Sequence, residues 1–498
     1  MQVMNPLTRR PGGITSLIIA SCAIAFCLAI PRGVASAASP NVVLVLSDDL
    51  GYGDVHCLNP EHGKIPTPNI DAFAKQGMTC TDTHSGSSVC TPTRYGIMTG
   101  RYSWRTKLQN GVVQAYGPSL IKEDRVTIAG FLKSQGYHTA AIGKWHLNLR
   151  YLDSETGKDL EKGKEDPPVG AMIPDGPIHR GFDYFHGFHH SRNMKAVIEG
   201  DKVIEHDEVI NMLPRLARKS VEYINSRKGN DQPFFLYLPL SSPHTPIVPT
   251  AEFQGKSGLG DYGDFVMQTD DVFGQVIKSL EANGMTENTL VIFASDNGCS
   301  RAAKIGELRK KGHHVSAHLR GSKSDIWDGG HRIPMIVRWP GIVKPDSTLA
   351  DIICLNDIYA TMGDILNAEL PVKSCEDSVS FLPQLAGKAN PSMRKNVIHH
   401  SINGNFAYRS ENWKLILARG SGGWSSPNEN KAKGSPKAQL YDITADPSEE
   451  HNLLSTDPEK YEIMLKSLTS DVNVGRTTPG ADSPNDLAEI VLWKSGEN

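Results

Sequence analysis

Five apolar, β-rich runs separated by helical segments are the feature that most constrains the fold of this chain. Each run is apolar almost throughout, which is typical of strands that are buried on both faces of a sheet. Pro68 and Gly77 delimit a helix at 68–76, and Thr127 caps a second helix that runs to 135. Strands that alternate with helices predict an α/β fold with a largely parallel sheet covered on both faces. The predicted strands are 41–46, 139–142, 234–240, 289–294 and 335–339.

The chain is longer than one hydrophobic core usually supports, and its character changes near residue 396. Its 498 residues exceed the roughly 250–300 at which a single core stops growing. Beyond that point, strand-like pieces are short and are interrupted by a Gly- and Ser-rich loop at 420–436. We therefore predict a large domain at 38–395 and a smaller α+β domain at 396–498. The strand-like pieces of the smaller domain are 406–409, 413–417 and 439–443.

The first residues have the pattern of a signal peptide. Arg9 and Arg10 precede an apolar run at 14–30, and a small-x-small cleavage pattern follows at 35–37. We predict a signal peptide at 1–37 and an exported protein, periplasmic or secreted, with no stable membrane insertion after cleavage. A membrane anchor is the alternative, because the apolar run approaches the roughly 20 residues that span a bilayer. A lipoprotein box ending at Cys22 and a twin-arginine signal at Arg9 and Arg10 also stay open.

Charge and cysteine content exclude several classes of protein. A formal net charge of −3 provides no basic field for nucleic acid or acidic lipid. After signal cleavage six cysteines are left, scattered and without a Cys-x-x-Cys pair, so neither a zinc site nor a disulfide framework is indicated. The six are Cys57, Cys80, Cys90, Cys299, Cys354 and Cys375.

Polar side chains follow four of the predicted strands at the point where each strand ends. In open α/β sheets, ligands bind beyond the carboxyl ends of the strands, so four such groups indicate one site. Several of them offer only oxygen donors, which calcium and magnesium prefer and zinc does not. The sequence thus predicts a site for a hard divalent cation and an oxyanion, with positive charge also available from Arg94 and Lys323. The groups are Asp48 and Asp49, Lys144 and His146, His244, and Asp296 and Asn297.

The segment at 88–101 contains the most specific motif in the chain. It places Cys90 before Pro92, Thr93 and Arg94, and it ends in Met-Thr-Gly-Arg at 98–101. Pro92 near a helix start would direct free backbone amides toward residue 90, which favours an anion there. A cysteine-phosphatase loop is excluded, because that loop needs arginine six positions after the nucleophile and position 96 is glycine.

This motif resembles the signature of the type I sulfatases, in which a maturation enzyme converts the cysteine to formylglycine (3-oxoalanine). Other blocks resemble the same family in the same order, and together they cover nearly all of the mature chain. The resemblance implies an alkaline-phosphatase-like fold, with a large mixed sheet between helices and a smaller carboxyl-terminal domain that carries an antiparallel sheet. The further blocks are 41–53, 143–146, 242–246, 295–298, 320–330 and 440–453.

The resemblance also implies cofactors and partners. A Ca²⁺ ion, with Mg²⁺ as the alternative, would be bound by Asp48, Asp49, Asp296, Asn297 and the modified Cys90. The formylglycine-generating enzyme would be a maturation partner. The substrate class is expected to be a sulfated polysaccharide or its oligosaccharides, since export favours an extracytoplasmic polymer or oligomer and the chain resembles bacterial galactosamine-6-sulfatases and arylsulfatase A-like members.

Catalytic roles follow from the same resemblance. The hydrated aldehyde at position 90 attacks sulfur, and its second hydroxyl later expels sulfate. Arg94 and Lys144 would hold the hydrate. His146 resembles the base that starts the elimination, whereas His244 resembles the acid for the leaving alcohol, shared with Lys323.

Two other functions share these residues and stay open. Formylglycine relatives also hydrolyse phosphate or phosphonate esters, and an inactive relative could bind sulfated glycans without turnover. Specificity is expected to depend on loops at 175–193 and 255–262. Six further residues match no motif, so we expect them to be surface or structural and otherwise only candidate substrate contacts: His189, His190, His313, His314, His318 and Trp424.

Overall fold

A computed structural model describes residues 39–162 and 166–494, in which the strands form three sheets. The predicted signal peptide lies outside the described residues. The strands are β1 (Asn41–Asp48), β2 (Met78–Cys80), β3 (Thr83–His84), β4 (His138–Lys144), β5 (Tyr184–Phe188), β6 (Ala196–Glu199), β7 (Lys202–His206), β8 (Phe234–Pro243), β9 (Thr289–Ser295), β10 (Met335–Arg338), β11 (Ser347–Leu349), β12 (Ile353–Cys354), β13 (Asn396–His400), β14 (Phe406–Ser410), β15 (Trp413–Ile416) and β16 (Gln439–Asp442).

Both of the helices that the sequence predicted are present in the structure. The predicted helix 68–76 has the observed bounds of α1, and the Thr127 hydroxyl accepts a hydrogen bond from the Gly130 amide at the start of α3. The helices are α1 (Pro68–Gln76), α2 (Cys90–Thr99), α3 (Ile128–Ser134), α4 (Val209–Ser226), α5 (Asp261–Ala282), α6 (Ile305–Lys310), α7 (Asp328–His331), α8 (Asp357–Ile365), α9 (Leu382–Leu385) and α10 (Pro458–Val474).

The large sheet has ten strands in the order β11-β2-β10-β9-β1-β8-β4-β5-β6-β7. The five strands from β9 to β5 are parallel, but β10 runs antiparallel to both of its neighbours, and β6 runs antiparallel to β5 and to β7. The expectation of a largely parallel sheet is therefore correct only for the centre. At one edge the reason is connection length, since the short link from β5 to β6 cannot cross over to make a parallel pair.

Both faces of this sheet are buried. In β1, Val42 and Leu44 belong to a core that includes Phe131 of α3, whereas Val43 on the opposite face packs in a core with Leu216 of α4. The alternation reflects the two-residue period of a strand. Because each face of β1 packs against its own hydrophobic core, apolar residues occur at consecutive positions along the strand.

A separate antiparallel sheet of β13, β14, β15 and β16 lies toward the carboxyl end, and α10 packs on it through Leu468 and Val472. The fold class is confirmed: a large mixed sheet between helices and a smaller antiparallel sheet. The described residues from Ser39 onward group as one compact unit, so the domain boundary before residue 396 stays a prediction.

Two further expectations concern the whole chain. The six cysteines from Cys57 to Cys375 are all free thiols in the structure. None of the helices within residues 39–162 and 166–494 combines the length and the apolar character needed to span a bilayer.

Candidate active site

Strand register brings the polar groups of four strands to one edge of the large sheet. Asp48 is level with Pro243 of β8, and Ser47 is level with Ser295 of β9. His244 and Asp296 follow those two residues directly. Lys144 ends β4, which pairs with the other side of β8. The carboxyl ends of β1, β4, β8 and β9 therefore deliver their side chains to one place, as the sequence predicted.

The motif at 88–101 forms helix α2, which is buried along its full length and begins at Cys90. Two glycines permit this packing. A Cβ on Gly96 would lie 2.1 Å from Oδ1 of Asn356, so a larger residue there would force this side chain to move. Gly100 ends the helix at φ 65°, in the left-handed region that favours glycine. The motif glycines thus fix the position of the helix start, and with it the position of residue 90.

Cys90 lies at the centre of the site. Its Sγ atom is 3.6 Å from Oδ1 of Asp48 and 3.7 Å from Nζ of Lys323. Burial raises the pKa of the Cys90 thiol to about 12, and Lys144 and Lys323 only partly oppose this effect. The coded residue is thus a neutral thiol near pH 7 and a poor nucleophile.

Three buried cations pair with three buried carboxylates around Cys90. Nζ of Lys144 is 2.5 Å from Oδ2 of Asp48, and Nζ of Lys323 is 2.6 Å from Oδ1 of Asp49. The Arg94 guanidinium donates to Oδ2 of Asp296 at 2.7 Å and to the Lys144 carbonyl at 3.0 Å. These pairs compensate charges that would otherwise be very costly to bury.

The pKa shifts reflect the same arrangement. Burial raises the pKa of Asp48, but the nearby charges of Lys144 and Arg94 outweigh it and leave the pKa far below its usual range. Burial lowers the pKa of Lys323, but Asp49 outweighs it and leaves the pKa above its usual range. Asp48 and Lys323 are therefore both charged at neutral pH.

The oxygen atoms of the site fit a hard divalent cation. Asn297 donates through Nδ2 to Oδ1 of Asp49 at 2.8 Å, whereas its own Oδ1 is buried and has no hydrogen-bond partner within the described residues. One ligand atom each from Asp48, Asp49, Cys90 and His244 lies within 4.8 Å of the others. A buried, unpartnered amide oxygen beside carboxylates is the type of donor that calcium and magnesium use.

His146 and His244 differ in their hydrogen bonds. Nε2 of His146 is 3.1 Å from the Val113 carbonyl, while its Nδ1 is buried without a partner. Nδ1 of His244 is 2.6 Å from the Thr245 carbonyl, and its Nε2 lies 3.7 Å from Oδ2 of Asp49. A carbonyl oxygen can only accept a hydrogen bond, so each ring carries its proton on the nitrogen that faces the carbonyl, which is Nε2 in His146 and Nδ1 in His244. Nδ1 of His146 and Nε2 of His244 are thus the nitrogens available for proton transfer.

Both rings are neutral in this environment. Burial lowers the pKa of His146 well below its ordinary value, and His190 and Lys144 lower it further. Burial and then Lys323 lower the pKa of His244 to about 4, although Asp49 opposes the shift. The His244 side chain is 13 % exposed and that of Lys323 7 %, while the carboxylates are almost fully enclosed. The site therefore opens on the side of His244 and Lys323.

Two residues beside the site had no assigned role in the sequence. His189 and His190 are buried, and the His190 ring packs against His146 with centroids 4.3 Å apart. They follow β5, the strand next to β4, so the rule that located Lys144 applies to them too. The signal was missed because β5, with the sequence Tyr-Phe-His-Gly-Phe, does not read as a continuous apolar run.

The other unassigned residues lie in different surroundings. His313 is buried and its Nε2 is 2.8 Å from Oδ1 of Asp54, which is a structural contact. His313, His314 and His318 line a cavity of about 720 Å³ together with Arg309 and Arg320. Trp424 is 38 % exposed and its backbone contacts the segment after Lys323.

Comparison with known proteins decides the family. The sequence model described as Sulfatase matches residues 40–368. The N-acetylgalactosamine-6-O-sulfatase of Bacteroides thetaiotaomicron is 31 % identical over 483 residues, which cover 86 % of this chain and 93 % of that protein. This chain belongs to the sulfatase family. The sulfatase is also 29 % identical to arylsulfatase A of Homo sapiens over 468 residues, which cover 86 % of each chain.

Solved structures agree with this assignment. A structure described in connection with glycosaminoglycan metabolism by Bacteroides thetaiotaomicron superposes with a TM-score of 0.75 at 28 % identity, and the match covers 87 % of this sulfatase and 99 % of that chain. Membership of the family makes the protein a sulfuric ester hydrolase, and it confirms the family predicted from the motif at Cys90.

Proposed function

We propose that this sulfatase removes sulfate esters from sulfated carbohydrates, using a formylglycine made from Cys90 and a bound Ca²⁺ ion. The observation that carries the proposal is the position of Cys90 at the start of a buried helix, between Asp48 at 3.6 Å and Lys323 at 3.7 Å. The substrate class is supported by the similar N-acetylgalactosamine-6-O-sulfatase, which covers most of the chain.

The proposed calcium ligands are the oxygens of Asp48, Asp49, Asp296 and Asn297 together with the modified residue 90. Their support is the all-oxygen donor set and the unpartnered Oδ1 of Asn297. When bound, the ion supplies positive charge that polarises a sulfate oxygen and offsets the carboxylates. When present, the formylglycine supplies a hydrated aldehyde, of which one hydroxyl attacks sulfur and the other later expels sulfate.

The buried cations orient the reacting groups. Arg94 and Lys144 are held on Asp296 and Asp48, and their remaining N–H donors would bind and orient the oxygens of the modified residue 90. Lys323 lies at the open side of the site, where its ammonium can bind a sulfate oxygen of the incoming ester. Because all three are positioned before substrate arrives, little reorganisation is needed on binding.

The two histidines transfer protons. Nε2 of His244 faces the open side, where the leaving alcohol needs a proton, and a bound sulfate anion would raise the lowered pKa of this ring toward neutrality. Nδ1 of His146 is unpartnered and neutral, as required of a base that accepts a proton from residue 90. Lys323 assists His244 by donating to the same leaving group.

The test is hydrolysis of a chromogenic aryl sulfate and of its phosphate counterpart by protein coexpressed with a formylglycine-generating enzyme. Cys90→Ala is the matched variant, and a panel of sulfated mono- and oligosaccharides follows. We expect sulfate turnover that the variant loses completely. Phosphate cleaved far faster than sulfate would replace this function with phosphoester hydrolysis, and an unmodified Cys90 without turnover would favour a glycan-binding protein.

The location of the enzyme and its maturation partner are part of the proposal. The export signal predicted at 1–37 would place it in the periplasm or outside the cell, where sulfated polymers are accessible. A formylglycine-generating enzyme would act on the unfolded segment around Cys90, because that residue is only 2 % exposed once folded. Fractionation of the native host and amino-terminal sequencing test the export, with cleavage expected after Ala37.

A further inference from the structure

Trp424 lies on a loop of the small carboxyl-terminal region, yet its backbone is bound to the segment that carries Lys323. The Trp424 amide donates to Oγ of Ser324 and to Oδ1 of Asp325, each at 3.0 Å. Ser324 directly follows Lys323, whose Nζ is 3.7 Å from Sγ of Cys90. A tryptophan that is 38 % exposed is therefore anchored beside the open side of the active site.

Asp325 fixes both segments at once. Its carboxylate accepts from the amide of Ser322 at 2.9 Å on one side, and from the amides of Trp424 and Ser425 at 3.0 Å on the other. The contact is also close at Gly423, where a Cβ would lie 2.3 Å from the Ser324 carbonyl oxygen. These bonds use backbone amides, so they hold the loop whatever side chain stands at position 424.

Arg301 completes the arrangement from a third segment. Its guanidinium lies 4.8 Å from the centroid of the Trp424 ring, which is within the range of a cation–π contact. No ion pair or hydrogen bond of the Arg301 side chain occurs in the part of the chain that the structure describes. Arg301 follows Asn297 by four residues, and the intervening Cys299 carbonyl accepts from the Lys323 amide at 2.9 Å.

We propose that Trp424 and Arg301 form a saccharide-binding subsite, the Trp424 subsite, next to the sulfate-binding centre. The exposed part of the indole packs on the apolar face of a sugar ring, as aromatic side chains with one open face do. The Arg301 guanidinium binds an anionic group other than the sulfate that is removed, either a carboxylate or a second sulfate. This assignment rests on the proposed carbohydrate substrate, and it makes Trp424 a substrate contact, which the sequence left open beside a surface or structural role.

The test compares two substrates of the matured enzyme. Trp424→Ala should raise KM about tenfold for the best-cleaved sulfated saccharide of the panel, while kcat/KM for the small aryl sulfate stays within about twofold. Trp424→Phe should restore most of the loss, because it keeps an aromatic face. Arg301→Gln should raise KM several-fold only for saccharides with an additional carboxylate or sulfate, and a uronate-containing and a disulfated substrate distinguish these two sources.

Lys460→Gln is the matched control, since Lys460 also stacks on a tryptophan, Trp413, at 5.1 Å but on a different part of the surface. It should leave both substrates unaffected. Equal losses on aryl sulfate and saccharide in Trp424→Ala would mean that the loop is only structural, and unchanged KM values would mean that no sugar contacts it. Aryl sulfate turnover without cleavage of any saccharide would also overturn the subsite, whereas a matured wild type that cleaves neither the aryl sulfate nor any saccharide refutes the proposed function itself.

Discussion

Replacing Lys144 by methionine should destabilise the metal-free enzyme and make its stability respond more strongly to calcium. Lys144 and Asp48 form a 2.5 Å ion pair in which both side chains are fully buried. Removing one partner of a buried pair costs about 3–5 kcal/mol, because the other charge is left uncompensated. The guanidinium of Arg94 lies 3.7 Å from the same Asp48 oxygen, so the lower end of this range, about 3 kcal/mol, is expected.

Thermal denaturation in EDTA and in calcium measures the effect. For a chain of this length the unfolding entropy is about 1 kcal/mol/K, so the expected decrease in Tm is about 3 °C in EDTA. Calcium should raise Tm more in the variant than in wild type, because the ion compensates Asp48 without competition from the ammonium group. Activity toward aryl sulfate should be lost even in calcium, since the methionine cannot orient residue 90.

Lys133→Met provides the matched control. Lys133 also forms a short ion pair, 2.6 Å from Asp183, but its side chain is 51 % exposed. Exposed pairs contribute about 0–1 kcal/mol, so this variant should unfold within about 1 °C of wild type and respond normally to calcium. Two results would contradict the statement that Lys144 compensates the buried charge of Asp48. One is an equal loss of stability in Lys144→Met and Lys133→Met, and the other is an equal increase of Tm by calcium in Lys144→Met and wild type.

Two further predictions concern the metal and the pH dependence of stability. Asn297→Ala should weaken calcium binding about tenfold in calorimetry of metal-free protein without unfolding it, because Asp49 keeps its 2.6 Å contact with Lys323; unchanged affinity would exclude Asn297 as a ligand. Burial, assisted by Lys494, lowers the pKa of His400 to about 3. Below about pH 6.5 the unfolded chain therefore binds a proton at this residue that the folded protein does not bind. The free energy of unfolding consequently decreases as the pH falls from 6.5 toward 3. His400→Phe should make the loss of unfolding free energy between pH 6.5 and 5 about 1.5–2 kcal/mol smaller, and an identical pH profile in urea denaturation would contradict this.

The parts of the site that could be predicted share a local cause. Asp48, Lys144, His244 and Asp296 each stand at the end of a strand whose apolar run is visible in the sequence. Because parallel strands place their carboxyl ends at one edge, the list of strands was enough to group these residues. Cys90 was found differently, through a motif whose glycines are explained by contacts such as that of Gly96 with Asn356.

The parts that could not be predicted depend on contacts between distant segments. The antiparallel pairing of β10 with β9 and β2 follows from how the chain returns to the sheet, and no local pattern encodes this direction. His190 was missed because its strand is short and contains a histidine and a glycine. Trp424 is separated from Lys323 by about a hundred residues, and hydrogen bonds to Ser324 and Asp325 bring the two segments together.

The most direct test of the proposed mechanism is how turnover depends on the conversion of Cys90 to formylglycine. Preparations that contain different fractions of formylglycine can be made by varying coexpression of the maturation enzyme, and peptide mass spectrometry gives the aldehyde fraction of each. We expect aryl sulfate turnover per molecule to rise in proportion to this fraction and to extrapolate to zero when Cys90 is wholly unmodified. Turnover that is independent of the aldehyde fraction would contradict the proposed mechanism.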